Sequence, residues 1–190
     1  MILIDTLWLV GGIFALVAIY AWFTYNSFVA TKVRVTQSWK DIDVQLKKRY
    51  DLLPDLVTTA KKAAALDKEI LTEVTRLRSE GMKAAKMGSD PAERGAIEGR
   101  LSALMRDVRV QIEAYPEIKA HQELSKLMAD VFDIEDKIAY ARQFYNANAA
   151  DYNTKIKLFP AVLVASLFSF TQAHYFEVEE KERKDVEVKL

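Results

Sequence analysis

Cysteine is absent from the 190 residues, which excludes disulfides, thiolate metal sites and a cysteine nucleophile. Glycine and proline are scarce, at 6 and 4 residues, so little punctuates the chain and long helices are expected. Net charge is also missing. The 27 Lys and Arg balance 27 Asp and Glu, and no local basic cluster stands out, so the electrostatic footprint that nucleic-acid binding needs is not there. Histidine occurs only at His121 and His174. A di-iron bundle uses Glu-x-x-His on two helices, yet position 118 is Ile and position 171 is Thr. Glu117 shares a helix face with His121, but that pair has no second half. No serine sits in a nucleophile elbow and no glycine-rich phosphate loop occurs. These absences imply no enzyme, no cofactor, no metal site and no small-molecule substrate.

Charge is missing again, locally, from Thr6 through Thr31. The heart of that run, Leu7 to Phe23, has the length and apolarity of a membrane-spanning helix, which needs about 20 such residues. Trp8 stands near one end and Tyr20, Trp22 and Tyr25 near the other, as in an aromatic belt. A secretory signal would open on basic residues and close on a small-residue cleavage site. Here Asp5 is the only early charge and Tyr20-Ala21-Trp22-Phe23 replaces that site, so residues 1–28 are expected to be a retained anchor. Lys32, Arg34 and Lys40 follow the run and no Lys or Arg precedes it, which puts the N-terminus outside and the bulk in the cytoplasm.

Amphipathic stripes fill the rest. Val35, Trp39, Ile42 and Leu46 recur at helical spacing, continuous with the anchor. This helix is expected to stop near Asp51, since Leu53 precedes a proline, and Pro54 to open the next one. Ala60, Ala63, Ile70, Val74, Leu77 and Gly81 form a second seam. Gly88-Ser89-Asp90-Pro91 reads as a turn with a helix start. Ile97, Leu101, Leu104, Val108, Ile112 and Tyr115 form a third stripe, ended by Tyr115-Pro116. The longest seam is Ala120, Leu124, Leu127, Val131, Ile134, Ile138, Ala141, Tyr145, Asn148 and Tyr152, a heptad pattern without a break. It turns polar at its end and carries a repeat, Tyr145-Asn146 and Tyr152-Asn153.

Short links between four such helices imply an antiparallel four-helix bundle over residues 29–157, following the transmembrane helix in an all-α chain. The fourth helix, from residue 117 to 155, is longer than the third. Its C-terminal third is expected beside the end of the anchor, near Tyr25-Asn26. There it would deliver the uncharged segment 158–170, which is too short to span, either as a core cap or to the bilayer. Residues 158–176 make this apolar segment and residues 177–190 a charged, solvated tail. Glu135, Arg142 and Asn146 share a face, and Arg49 and Glu113 are placed to project towards it. The face is read as an interhelical ion-pair network or as a partner-docking surface.

Several ordered motifs resemble the LemA family. They are Tyr25-Asn26; Trp39 with Ile42-Asp43-Val44-Gln45-Leu46 and Arg49; and Asp51-Leu52-Leu53-Pro54-Asp55-Leu56-Val57. Then come Glu113-x-Tyr115-Pro116-x-Ile118-Lys119-Ala120, Glu135 through Arg142-x-x-Tyr145-Asn146, Tyr152-Asn153 and Phe159-Pro160. Asp55 replaces the family's usual Asn, and Asn148 a position that is often apolar. The resemblance implies a single-pass bacterial inner-membrane protein with a cytoplasmic helical domain and no known catalysis. It also implies roles in membrane organisation, as in magnetosome membrane formation, or beside a membrane zinc metalloprotease. The expected function is a membrane-anchored scaffold that binds protein partners or itself as a homo-oligomer; the alternative is an adaptor or regulator of such a protease. The expected partners are the lipid bilayer and proteins. The candidate structural or docking face comprises Trp39, Arg49, Pro54, Glu113, Tyr115, Pro116, Glu135, Arg142, Tyr145, Asn146, Tyr152, Asn153, Phe159 and Pro160.

Overall fold

A computed structural model describes residues 2–63, 66–114 and 121–176, with side chains described for 8–63, 66–111 and 121–176. Every regular element among them is an α-helix: α1 (Ile2–Lys62), α2 (Lys68–Met87), α3 (Pro91–Ala114), α4 (Gln122–Lys155) and α5 (Ala161–Leu167). The described residues fall into two compact units. One joins residues 2–38 with Asn146–Ala173; the other joins the described part of 39–145 with residues 174–176.

α1 is 61 residues long and contains Pro54, so the expected stop near Asp51 is not there and no helix begins at Pro54. Proline lacks the N–H that would bond the carbonyl four residues back, and its ring crowds that carbonyl. The carbonyl concerned belongs to Tyr50, and Nε of Arg78 in α2 donates to it at 2.7 Å. A replacement donor from a neighbouring helix thus lets α1 run through the proline.

The other boundaries follow local chemistry. α2 ends on Gly88 at φ 68°, where the left-handed conformation suits glycine. Ser89 N–H then returns to the Ala84 carbonyl at 3.1 Å. Asp90 Oδ1 accepts the Glu93 N–H at 2.9 Å, capping α3. α4 closes where the Thr154 carbonyl receives the N–H groups of Lys157 and Leu158, before Pro160.

In the first unit, the apolar run of α1 is the one described stretch long and apolar enough to cross a membrane; its mean hydropathy is 1.7 and none of it is buried. Burial in α1 begins at Phe28 and Thr31. Nζ of Lys155, in the last turn of α4, lies 3.4 Å from Thr31 Oγ1, and the Phe168 ring lies 4.8 Å from that of Tyr25. The end of α4 and the segment after it therefore meet the end of the apolar run, as expected.

In the second unit, α2 packs on α3. The core takes Ile42, Leu46, Leu53 and Leu56 from α1, Leu71, Val74 and Leu77 from α2, Leu101, Met105 and Val108 from α3, and Leu124, Met128, Val131 and Ile138 from α4. The third stripe differs from expectation. Ile97 and Leu104 are only half-buried, and the buried line includes Arg94, Glu98 and Ser102. Ile112 has no described side chain, and Tyr115 and Ala120 lie outside the described residues.

Candidate functional site

The centre of the second unit is ionic. Arg49, fully buried on α1, donates through Nη1 to Ser102 Oγ at 2.9 Å and to Glu135 Oε1 at 2.7 Å. Its Nη2 pairs with Glu98 of α3. Ser102 closes the ring by donating to Glu135 Oε2 at 2.7 Å. Tyr50 donates its hydroxyl to the other oxygen of Glu98. One guanidinium thereby ties α1 to α3 and α4. Burial alone would lower the Arg49 pKa, but Glu135 and Glu98 outweigh it and hold it above the ordinary arginine value. Burial and then Glu98 push the Tyr50 hydroxyl above the usual tyrosine range.

Gly81 makes this cluster possible from α2. A Cβ there would meet the Tyr50 hydroxyl and stand 2.9 Å from Glu98 Oε1. Without it, the Tyr50–Glu98 pair lies flush against the α2 backbone.

A second constellation surrounds Trp39. Its ring lies 5.4 Å from that of Tyr145 and 5.9 Å from that of Phe176. Arg94, nearly buried, stacks 5.0 Å over Trp39 and pairs with Asp43. Arg142 stacks 5.0 Å over Phe176. Tyr145 donates to the His174 carbonyl at 2.6 Å, and burial followed by Asp90 pushes its pKa up to about 12.

The second half of the Tyr-Asn repeat works within the first unit. Tyr152 donates to the Thr171 carbonyl at 2.9 Å. The Asn153 amide pairs with Ala173 in both directions: Nδ2 donates to its carbonyl at 2.9 Å and Oδ1 accepts its N–H at 2.8 Å. The polar end of the α4 seam thus satisfies the backbone of an irregular segment, which has no helical bonds of its own.

The candidate face divides accordingly. Arg49 and Glu135 meet in the ionic cluster; Trp39, Arg142 and Tyr145 meet around Phe176; Tyr152 and Asn153 fasten 171–173. Pro54 acts through the carbonyl it leaves free. Asn146 is half-buried, and Phe159 and Pro160 are exposed. Tyr115, Pro116 and the Glu113 side chain lie outside what is described. Arg49 and Glu113 are expected to project towards the Glu135 face; Arg49 pairs with Glu135 there and also with Glu98 of α3. Glu98, Ser102 and Tyr50 were missed, and Gly81 was read only as a seam position. Glu98 and Ser102, one turn apart on the same side as Leu101 and Met105, were the available signal.

One groove of about 480 Å³ opens on this unit, lined by Asp41 and Gln45 of α1 and by Asp133, Asp136, Lys137, Tyr140, Ala141 and Phe144 of α4. Tyr140 and Phe144 are exposed. Lys137 pairs with Asp133, which leaves the carboxylates in excess. Gln45 Oε1 is buried without a hydrogen-bond partner. No group of three or more His, Asp or Glu placed to hold a metal occurs among the described residues.

The LemA family model matches residues 38–190. Magnetosome protein MamQ 2 of Paramagnetospirillum magneticum is 28% identical over 176 residues, covering 80% of this chain and 64% of that protein. Magnetosome protein MamQ of Magnetospirillum gryphiswaldense is 27% identical with the same coverage. Protein LemA of Metamycoplasma hominis is 24% identical over 141 residues, 74% of this chain and 63% of that protein. The chain therefore spans less than two thirds of the length of these relatives.

Proposed function

This chain belongs to the LemA family, and on that premise we propose that it is a non-catalytic, membrane-anchored scaffold that organises protein partners at a bacterial inner membrane. In this reading the span is single-pass with its N-terminus outside, because Lys32, Arg34 and Lys40 follow the apolar run. The part of α1 beyond the span, with α2, α3 and α4, makes an antiparallel four-helix bundle in the cytoplasm.

The observation that carries the proposal is the groove between α1 and α4. Its aromatic side chains are exposed and its carboxylates outnumber its one lysine. Such a groove suits an amphipathic helix that offers apolar side chains and cations. The Arg49–Glu135 ion pair ties together α1 and α4, the two helices that line the groove.

The test is the particle that the full chain forms when extracted in mild detergent, by mass and by composition. The proposal expects a complex larger than one chain. A second copy as the occupant indicates a self-assembling scaffold, and a membrane metalloprotease indicates the adaptor reading. A lone monomer under conditions that preserve other membrane complexes contradicts both.

A further inference from the structure

We propose that residues 158–168 form a second membrane contact, lying in the boundary between headgroups and acyl chains beside the end of the span. Leu158, Phe159, Leu163, Leu167 and Phe168 are 56%, 81%, 63%, 75% and 50% exposed, among the described residues the densest run of exposed large apolar side chains outside the apolar run of α1. Phe159, Leu163 and Leu167 follow one another at four-residue spacing, while Val164 and Ala165 of α5 are buried. The surface is thus the outward face of a packed element. No charged residue occurs from Leu158 through Ala173, whereas Lys157 directly precedes the patch and Lys32 lies 6.0 Å over the ring of Phe170, both lysines exposed. An apolar face rimmed by cations is the pattern of an interfacial element on anionic lipid.

Depth fixes the partner. Phe168 packs edge-on to Tyr25 and, with Ala18, Ala21, Trp22, Tyr25 and Asn26, lines an apolar groove of about 420 Å³. Phe168 therefore sits level with the last two turns of the apolar run, where Trp22 and Tyr25 mark the membrane boundary. The exposed face of α5 continues the lipid-facing surface of α1, and the groove between them opens to the same acyl chains. The occupant is lipid of the leaflet on that side. The inference rests on reading the apolar run as a span.

Because the chain lacks cysteine, single probes test this in the full protein reconstituted into phosphatidylcholine–phosphatidylglycerol vesicles. Environment-sensitive labels are placed at Leu163→Cys and Leu167→Cys, with Phe14→Cys as the mid-span reference and Lys126→Cys as the aqueous one. Quenchers are carried by the lipid near its headgroup, deep in its acyl chain, or in the water. The labels at 163 and 167 are expected to be quenched by the shallow lipid quencher at least about twofold more than the label at 126, as for an element buried about 5–10 Å. They should also be shielded from the aqueous quencher. If they behave like the label at 126 while the label at 14 is quenched from deep in the bilayer, the inference is overturned and the span stands. If the label at 14 is not quenched by lipid, the span reading falls and the inference falls with it.

Discussion

Nε of Arg78 donates to the backbone carbonyl of Tyr50 at 2.7 Å, and Tyr50 is the residue whose helical partner Pro54 cannot supply. A mid-helix proline costs about 3 kcal/mol. The bond from α2 offsets part of that cost and joins two helices at the place where one of them is weakest.

The bond sets up a thermodynamic cycle. Arg78→Met should destabilise the protein by about 1–3 kcal/mol, the cost of leaving a buried carbonyl unpaired. With Pro54→Ala in the background, the backbone N–H restored at that position takes the carbonyl, and the cost of Arg78→Met should shrink to within about 0.5 kcal/mol. Thermal melts followed by circular dichroism measure both. Equal costs in the two backgrounds would show that the proline and the arginine are uncoupled.

Arg49 should be the most sensitive single position. Removing one partner from a buried ion cluster costs about 3–5 kcal/mol, because the remaining charges stay buried. Arg49→Met should fall in that range. Arg49→Lys should recover little, since one ammonium cannot reproduce a fork that holds Ser102 and Glu135 on Nη1 and Glu98 on Nη2. Replacing Arg49, Glu98 and Glu135 together by apolar residues should cost less than Arg49→Met alone. The melting midpoints of the three variants decide the order.

Gly81→Ala should destabilise by about 1–3 kcal/mol as an overpacking change, although alanine favours a helix interior by about 1 kcal/mol over glycine. The added Cβ runs into the Tyr50 hydroxyl and Glu98. Adding Tyr50→Phe should restore part of the loss by removing the hydroxyl. A stabilised Gly81→Ala protein would contradict the close approach.

Alkaline pH should weaken the second unit. Burial, with Asp90 second, moves Tyr145 from 10.0 to about 12. Above pH 10 the unfolded chain loses the Tyr145 proton while the folded chain keeps it, so stability falls as pH rises from 10 to about 12. Tyr50, raised as well, adds to the same trend. Tyr145→Phe should flatten the alkaline slope while losing about 1 kcal/mol at neutral pH with the bond to the His174 carbonyl. Melts across that pH range measure both effects.

The α4 seam was legible in part, because apolar residues at heptad spacing have few alternatives to burial: Leu124, Val131, Ile134, Ile138, Tyr145 and Tyr152 are buried, while Leu127, Ala141 and Asn148 are half-buried beside the buried Met128 and Ala149. The second seam is divided, with Ala60 on α1 and Ile70 to Gly81 on α2. The Gly88–Pro91 turn was legible through its capping chemistry. Pro54 misled, because its compensation comes from Arg78, distant in sequence and invisible to a local rule. Glu98 was hidden for a related reason. A hydropathy stripe passes over a buried acid, and only the approach of Arg49 and Tyr50 makes burial of that acid tolerable. The Tyr-Asn repeat was visible as a pattern, but its role depends on the irregular segment 171–174, which has no periodicity to announce it.

Partner docking is proposed in the groove lined by Asp41, Gln45, Asp136, Tyr140 and Phe144. Its most direct test is the mass of the detergent-extracted particle for the unaltered chain and for Asp41→Lys/Asp136→Lys, both at exposed positions. Docking in this groove should give a complex for the unaltered chain and its loss in the variant, with helical content and melting midpoint unchanged. A particle of the same mass and composition in both would contradict it.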